Sequence, residues 1–149
     1  MIPNTNKLLM LALGSRRKNI QLVVDSSPNQ SLKVNADKEK IEQVLTNLIE
    51  NSIKYGKESG TTEIVVQEVI ENKLIIRITD NGIGVDNKNL ERLFERFYRV
   101  DQTGNRSTGG SGLGLAIVKH IIDAHDEKIF IESELGVGSE FSFTIDQAN

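Results

Sequence analysis

Residues 41–56, IEQVLTNLIENSIKYG, decide the fold. At about 100° per residue on a helix, Ile41, Val44, Leu45, Leu48, Ile49 and Ile53 share one broad face. Asn47, Asn51, Lys54 and Tyr55, at i, i+4, i+7 and i+8, share another. The first face is suited to packing on a sheet. The second aligns two amides, an ammonium and an aromatic ring. An amide oxygen is a hard neutral ligand that suits Mg²⁺, a cation that keeps several waters and takes few protein ligands. A lysine meets phosphate as a point charge. The plain alternative is an amphipathic helix with a solvated face. Against it, asparagine is a mediocre helix former with no obvious reason to appear twice. Asp37 is positioned to cap this helix, with Lys40 and Ile41 in the first turn, and Gly56 ends it near Lys54 or Tyr55.

Outward from this helix, the pattern turns to strands. TEIVVQEVIE (62–71) and KLIIRITD (73–80) form an expected antiparallel hairpin across Glu71–Asn72. Upstream, KNIQLVVDS (18–26) and SLKVNA (31–36) read as strands separated by turn chemistry, and residues up to about 17 look weakly helical. Downstream, a short helix is expected over 87–95, a mobile polar loop over 101–112 and an apolar helix over 113–124. Strands 128–134 and 138–145 close the chain. In the last, Phe141, Phe143 and Ile145 alternate with Ser142 and Thr144, as in a half-buried strand. The sum is an α+β layout, a mixed and mostly antiparallel sheet with helices on one face. Strand and helix do not alternate strictly, which disfavours a Rossmann fold.

The 149 residues suit one domain with a proper core. The 18 basic and 21 acidic residues are interspersed and leave a net charge of −3, so no basic stripe points to nucleic acid. There is no cysteine, which excludes a disulfide scaffold and cysteine-based metal or redox sites. The most apolar run, LLMLAL (8–13), is too short to span a membrane.

Three further stretches carry chemistry. In ITDNGIGV (78–85) a strand delivers Asp80 to its end, followed by Gly82 and Gly84. A carboxylate there can accept a hydrogen bond from an exocyclic amine such as that of adenine, and glycine lets backbone approach a ligand. Read alone, DNG is also good turn chemistry. In GGSGLGLAIVKHII (109–122) glycines lead into an apolar helix, placing free amides and a positive helix end where an anion can sit. It matches neither a Walker A loop nor the dinucleotide fingerprint, and alone it is equally a linker capped by a helix. In LFERFYRVD (93–101) aromatics alternate with Glu95, Arg96 and Arg99. The arginines can reach phosphate, or the stretch is a short core-facing helix with a charged exterior.

In sequence order, NLIENSIKY, DNGIG, LFERFYRVD, GGSGLGLAIVKHI and GVGSEF resemble the asparagine box, three glycine boxes and phenylalanine box of sensor histidine kinases. The resemblance covers about residues 31–145 and looks strongest to phosphate-sensing and cell-wall-sensing kinases of Gram-positive bacteria. The wider superfamily includes gyrase, heat-shock chaperones and MutL. The fold it implies is a two-layer α/β sandwich, the Bergerat ATP-binding fold, with the sheet packed on three helices. The cofactors it implies are ATP and Mg²⁺. It makes Asn51 the metal ligand, sets Asn47 beside the triphosphate, Lys54 on phosphate and Tyr55 against the nucleotide. Asp80 would read the adenine amine, with Gly82, Ile83 and Gly84 shaping that pocket. Gly110, Gly112, Leu113 and Gly114 would hold phosphates, and Arg96 and Arg99 would belong to a lid over 95–111.

Hydrolysing members of that superfamily carry a glutamate base four residues before the metal asparagine. Asn47 occupies that position here and cannot act as a base, while Glu50 supplies an acid on a nearby flank. The pattern favours transfer to an external nucleophile over hydrolysis, with catalysis by positioning and charge neutralisation. Glu50, Asn47 and Lys54 are the expected catalytic set. His120 and His125 are the only histidines, both in or just after the helix behind the glycine loop, and His120 reads as structural. The acceptor is therefore expected on a separate dimerisation hairpin of the same parent. Residues 1–17 would be a linker or the end of that upstream helical region, and 18–149 the catalytic domain. The expected partners are this hairpin and a response regulator, with no nucleic acid and no direct membrane contact. The domain is expected to be cytoplasmic in a membrane-bound bacterial sensor. Two departures stand out: Asp126 and Glu127 replace a frequent glycine pair, and the chain ends DQAN without a common proline. An anti-sigma-type serine kinase of the same fold and a non-catalytic nucleotide-binding docking module are the alternatives.

Overall fold

The computed structural model describes residues 21–26, 36–70, 72–96 and 114–146. Its elements run β1 (Gln21–Ser26), α1 (Lys38–Lys54), β2 (Thr61–Ile70), β3 (Lys73–Asp80), α2 (Asn87–Leu90), α3 (Gly114–Ala124), β4 (Ile129–Glu134) and β5 (Gly138–Asp146). The strands form one sheet in the order β1-β2-β3-β5-β4. β1 lies parallel to β2, and every other pairing is antiparallel. The expected mixed, mostly antiparallel sheet is what forms.

The register explains the core. Ile64, Ile78, Phe141 and Ile131 make one apolar row across four strands, and Val66, Ile76, Phe143 and Ile129 make the next. Successive strand residues point to opposite faces, so these rows share one side. Onto it α1 lays Ile41, Val44, Leu45, Leu48, Ile49 and Ile53, all buried as the helical period requires. Val118, Ile121 and Ile122 of α3 complete the cluster. The sheet face opposite α1 and α3 is not uniformly wet. Ser142 is buried there because it sits between its cross-strand neighbours Arg77 and Phe130. The simple in–out alternation of β5 misses this.

Asp37 caps α1 as expected, its carboxylate accepting from the Lys40 amide at 3.2 Å. α1 and α3 run antiparallel, and both ends of α3 are tied to α1 or its cap. At one end His125 accepts from the Asp37 amide through Nε2 at 3.1 Å and donates through Nδ1 to the Ile121 carbonyl at 2.8 Å. At the other, Asn47 Nδ2 donates to the Gly114 carbonyl at 3.4 Å. Both bonds of His125 fit one tautomer, with the proton on Nδ1, and the ring ties the two helices together.

The helix expected over 87–95 is shorter. α2 is one turn, capped by Asp86, and the chain continues through i→i−3 bonds at Arg92, Leu93 and Glu95. These tighter turns bury Leu93 and set Phe94 edge-on against Phe141, with ring centroids 6.4 Å apart. Asn72 takes the left-handed conformation that closes the β2–β3 hairpin. The expected strand over 31–36, the N-terminal helical segment and the loop over 101–112 lie outside the described residues, except Ala36, which is at a bend.

The replaced glycine pair has a structural account. Glu127 N bonds the Ile122 carbonyl at 3.1 Å and Asp126 N bonds the Asp123 carbonyl at 3.0 Å, a Schellman cap with Asp126 at φ 56°. An aspartate tolerates this region less well than glycine. Glu127 is recruited elsewhere: Lys73 Nζ meets both its oxygens at 2.9 Å and Asp146 Oδ1 at 2.7 Å, while Thr144 Oγ1 donates to it at 2.8 Å. The bonds to Asp146 and then Glu127 hold the Lys73 ammonium above the ordinary lysine range. That contribution is complete at neutral pH and is lost only as pH rises through the raised value. Asp126→Gly is expected to stabilise the domain by about 0.5–1 kcal/mol, read as a higher urea midpoint with unchanged m. An unchanged or lower midpoint would contradict the cap assignment.

Candidate functional site

The site grows from the end of β3. Asp80 is the last residue of that strand and is only 7% exposed. Its Oδ1 accepts from the Gly82 amide at 2.9 Å. Burial pushes the carboxyl above the usual range, and hydrogen bonds from the Gly82 and Ser139 amides offset part of that shift. A carboxylate held in a low-dielectric pocket favours a ligand that supplies a hydrogen-bond donor.

Three glycines let the backbone close around it. A Cβ on Gly82 would collide with the Tyr55 carbonyl oxygen, and one on Gly138 with the carbonyl of Asp80 itself. Gly84, at φ 70°, lies against the Glu134 carbonyl. The loop between Asp80 and Val85 is thereby held from two sides. Ile83 N donates to the Tyr55 carbonyl at 3.2 Å, tying it to the end of α1. Gly136 N donates to the Ile83 carbonyl at 2.9 Å, tying it to the β4–β5 turn. Asn81 turns outward and caps the start of β2, accepting from Thr61 N at 2.8 Å.

From Tyr55 the half-buried stripe of α1 runs back through Lys54 and Asn51 to Asn47. At 1.5 Å per residue that is about 12 Å. Lys54 Nζ lies 5.9 Å from the Tyr55 ring centroid. At the far end Asn47 meets Gly114, the first residue of α3. One helix thus joins the Asp80 pocket to a glycine-led helix start. Glu50 is exposed on α1, Ile83 is 57% exposed beside the pocket, and Arg96 is exposed on the turns after α2. Arg99, Gly110, Gly112 and Leu113 lie outside the described residues. Among the described residues no three His, Cys, Asp or Glu side chains cluster as a metal site.

Sequence reasoning missed the support behind Asp80. Ser139 is its cross-strand partner and is buried. Ser133 Oγ accepts from Val85 N at 2.7 Å, donates to the Gly138 carbonyl at 3.0 Å and lies 2.7 Å from Ser139 Oγ. The segment GVGSEF signalled this region, but only the register shows that its glycine and serine face Asp80.

Residues 36–149 match the histidine kinase-, DNA gyrase B-, and HSP90-like ATPase family. The chain belongs to that family. Within it, this ATPase domain is similar to the sensor histidine kinase WalK of Bacillus subtilis, 45% identical over 120 residues, covering 79% of this chain and 20% of that protein. The chain thus spans about a fifth of the length of that curated relative. Among solved structures, full-length ShkA in complex with AMPPNP superposes with a TM-score of 0.80 at 27% identity, over 96% of this chain and 29% of that one. Histidine kinase ThkA in complex with the response regulator TrrA superposes with a TM-score of 0.75 at 27% identity, over 96% and 39% respectively. The expected fold, the α+β sandwich of histidine kinase ATPase domains, is therefore the one observed. No helix among the described residues is long and apolar enough to cross a membrane.

The raised carboxyl of Asp80 has a thermodynamic consequence. A folded-state value above the unfolded one means that the folded domain binds the proton more tightly. Stability therefore falls as pH rises from the usual carboxylate value, 3.8, through the raised value. Asp80→Asn should remove this decline. In thermal melts without nucleotide, the variant is expected to gain on the wild type as pH rises from about 4 to 7. A melting difference independent of pH would contradict the burial cost assigned to Asp80.

Proposed function

We propose that this domain binds Mg·ATP and donates the γ-phosphoryl group to a histidine on a separate dimerisation hairpin of its parent, from which it passes to a response-regulator aspartate. The observation that carries the reading is the buried Asp80 carboxylate, walled by backbone at Gly82 and Gly138, beside the end of a helix whose middle sets Asn47 against Gly114. Family membership and the likeness to sensor kinases support it.

In this reading Asp80 accepts a hydrogen bond from the adenine amine, and Gly82, Ile83 and Gly84 shape the base pocket. Tyr55 lies against the nucleotide and Lys54 meets phosphate. Asn51 supplies one neutral oxygen to Mg²⁺. That donor set fits, because the cation takes few protein ligands and completes its shell with phosphate and water. Gly110, Gly112, Leu113 and Gly114 hold phosphate at the start of α3, and Arg96 and Arg99 cover it. The metal neutralises charge on the phosphates when bound. Asn47 cannot take a proton from water, so hydrolysis lacks its base. Glu50, exposed on the flank of the same helix, would assist an incoming imidazole. The parent is a membrane-bound sensor with this domain in the cytoplasm.

Calorimetry tests the pocket. Asp80→Asn should weaken ATP binding roughly 100-fold or more, since a hydrogen bond to a buried charge is lost. Asn51→Ala should cost about 10-fold with Mg²⁺ and almost nothing with EDTA. Unchanged affinity in both variants would remove the assignment. Labelled ATP mixed with the domain and an acceptor hairpin tests the reaction. Acid-labile, base-stable label is expected. Acid-stable label would indicate a serine kinase, and no transfer would indicate a docking module.

A further inference from the structure

We propose that Ser133 is a positioning residue for adenine recognition, through the loop between Asp80 and Val85; the inference rests on the reading that Asp80 accepts from the adenine amine. Ser133 sits in β4, two strands from Asp80, separated from it by β5. Its hydroxyl nevertheless meets three groups around the pocket. It accepts from Val85 N at 2.7 Å, donates to the Gly138 carbonyl at 3.0 Å and lies 2.7 Å from Ser139 Oγ. With its proton committed to Gly138, the hydroxyl acts as acceptor towards both Val85 and Ser139.

Each of these groups bears on Asp80 from a different direction. Val85 ends the loop whose Gly82 amide orients the carboxylate. Gly138 is in van der Waals reach of the Asp80 carbonyl, where no Cβ fits. Ser139 is the cross-strand partner of Asp80, and its amide bonds the carboxylate. The loop is also tied by backbone contacts, Ile83 N to the Tyr55 carbonyl and Gly136 N to the Ile83 carbonyl, and by the exposed Asn81 side chain, which accepts from Thr61 N. Among the described residues, Ser133 is the side chain that anchors the far end of the loop to the edge strand β4. Without its hydroxyl, Val85 N loses an acceptor in a partly buried place, and Ser139 loses the neighbour that orients it. The loop and the carboxylate then lose a common support.

The experiment uses the 149-residue chain. Calorimetric affinities are measured for ATP and for purine riboside triphosphate, which lacks the exocyclic amine. The wild type is expected to prefer ATP. Ser133→Ala should weaken ATP about 5- to 10-fold, the equivalent of a single lost hydrogen bond. It should also shrink the preference for ATP over the analogue, since a displaced Asp80 gains less from the amine. Ser133→Thr keeps the hydroxyl in a residue type that strands favour, and should bind ATP within about 2-fold of wild type. Apo melting curves for each variant report folding separately. Unchanged ATP affinity in Ser133→Ala, or equal weakening for both nucleotides at a lower melting temperature, would overturn the positioning role. Failure of Ser133→Thr to rescue would overturn it too. A wild type that does not distinguish the two nucleotides would instead sink the Asp80 reading, and this inference with it.

Discussion

Holding a carboxylate out of water at the end of a central strand is costly, and Asp80 does so with backbone amides. Much of the local architecture follows from that constraint. The chain must turn at once so that Gly82 can donate back to Asp80. It must then pass between the end of α1 and the β4–β5 turn, so Gly82, Gly84 and Gly138 stand where any side chain would strike a backbone carbonyl. Ser133 on β4 satisfies the Val85 amide and the Gly138 carbonyl that this close approach leaves facing inward. The pocket is therefore a backbone construction, and the carboxylate is the charged group around which it closes.

The second determinant is α1, which belongs to both the core and the site. Its apolar face is anchored on two rows of side chains spanning four strands. Its opposite face carries the polar stripe from Asn47 to Tyr55. Because the helix cannot rotate without exposing Val44, Leu45 and Leu48, hydrophobic burial fixes the stripe relative to Asp80, and the Ile83–Tyr55 backbone bond adds to it. α3 is bound to it at both ends, through His125 to Asp37 and through Asn47 to Gly114. A glycine-led helix start is thus indexed to the same frame as the base pocket.

Local chemistry was readable wherever a short period or a cap dictated it. The burial of Ile41 through Ile53, the Asp37 cap, the β2–β3 hairpin and the inward set Phe141, Phe143 and Ile145 all follow from patterns of a few residues. The length of α2 was misjudged because Leu93 and Phe94 reach the core through tighter turns than an α-helix makes. The burial of Ser142 was hidden because it depends on large neighbours on two other strands. Glu127 and Asp126 looked like departures, yet one enters an ion cluster with Lys73 and the other completes a helix cap.

The sequence by itself determined the fold class, the amphipathic helix with its asparagine stripe, the candidate carboxylate at a strand end and the family those motifs belong to. Periodicity and turn chemistry act over a few residues, so they survive in one dimension. Only the tertiary structure decided the strand order, the parallel pairing of β1 with β2, and the placing of Ser133 and Ser139 behind Asp80. Those features rest on contacts between residues about 40 or more positions apart, such as Gln21 with Thr61, Val85 with Ser133 and Asp80 with Ser139. They are selected by how the packed sheet satisfies buried amides, which no local pattern of side chains records.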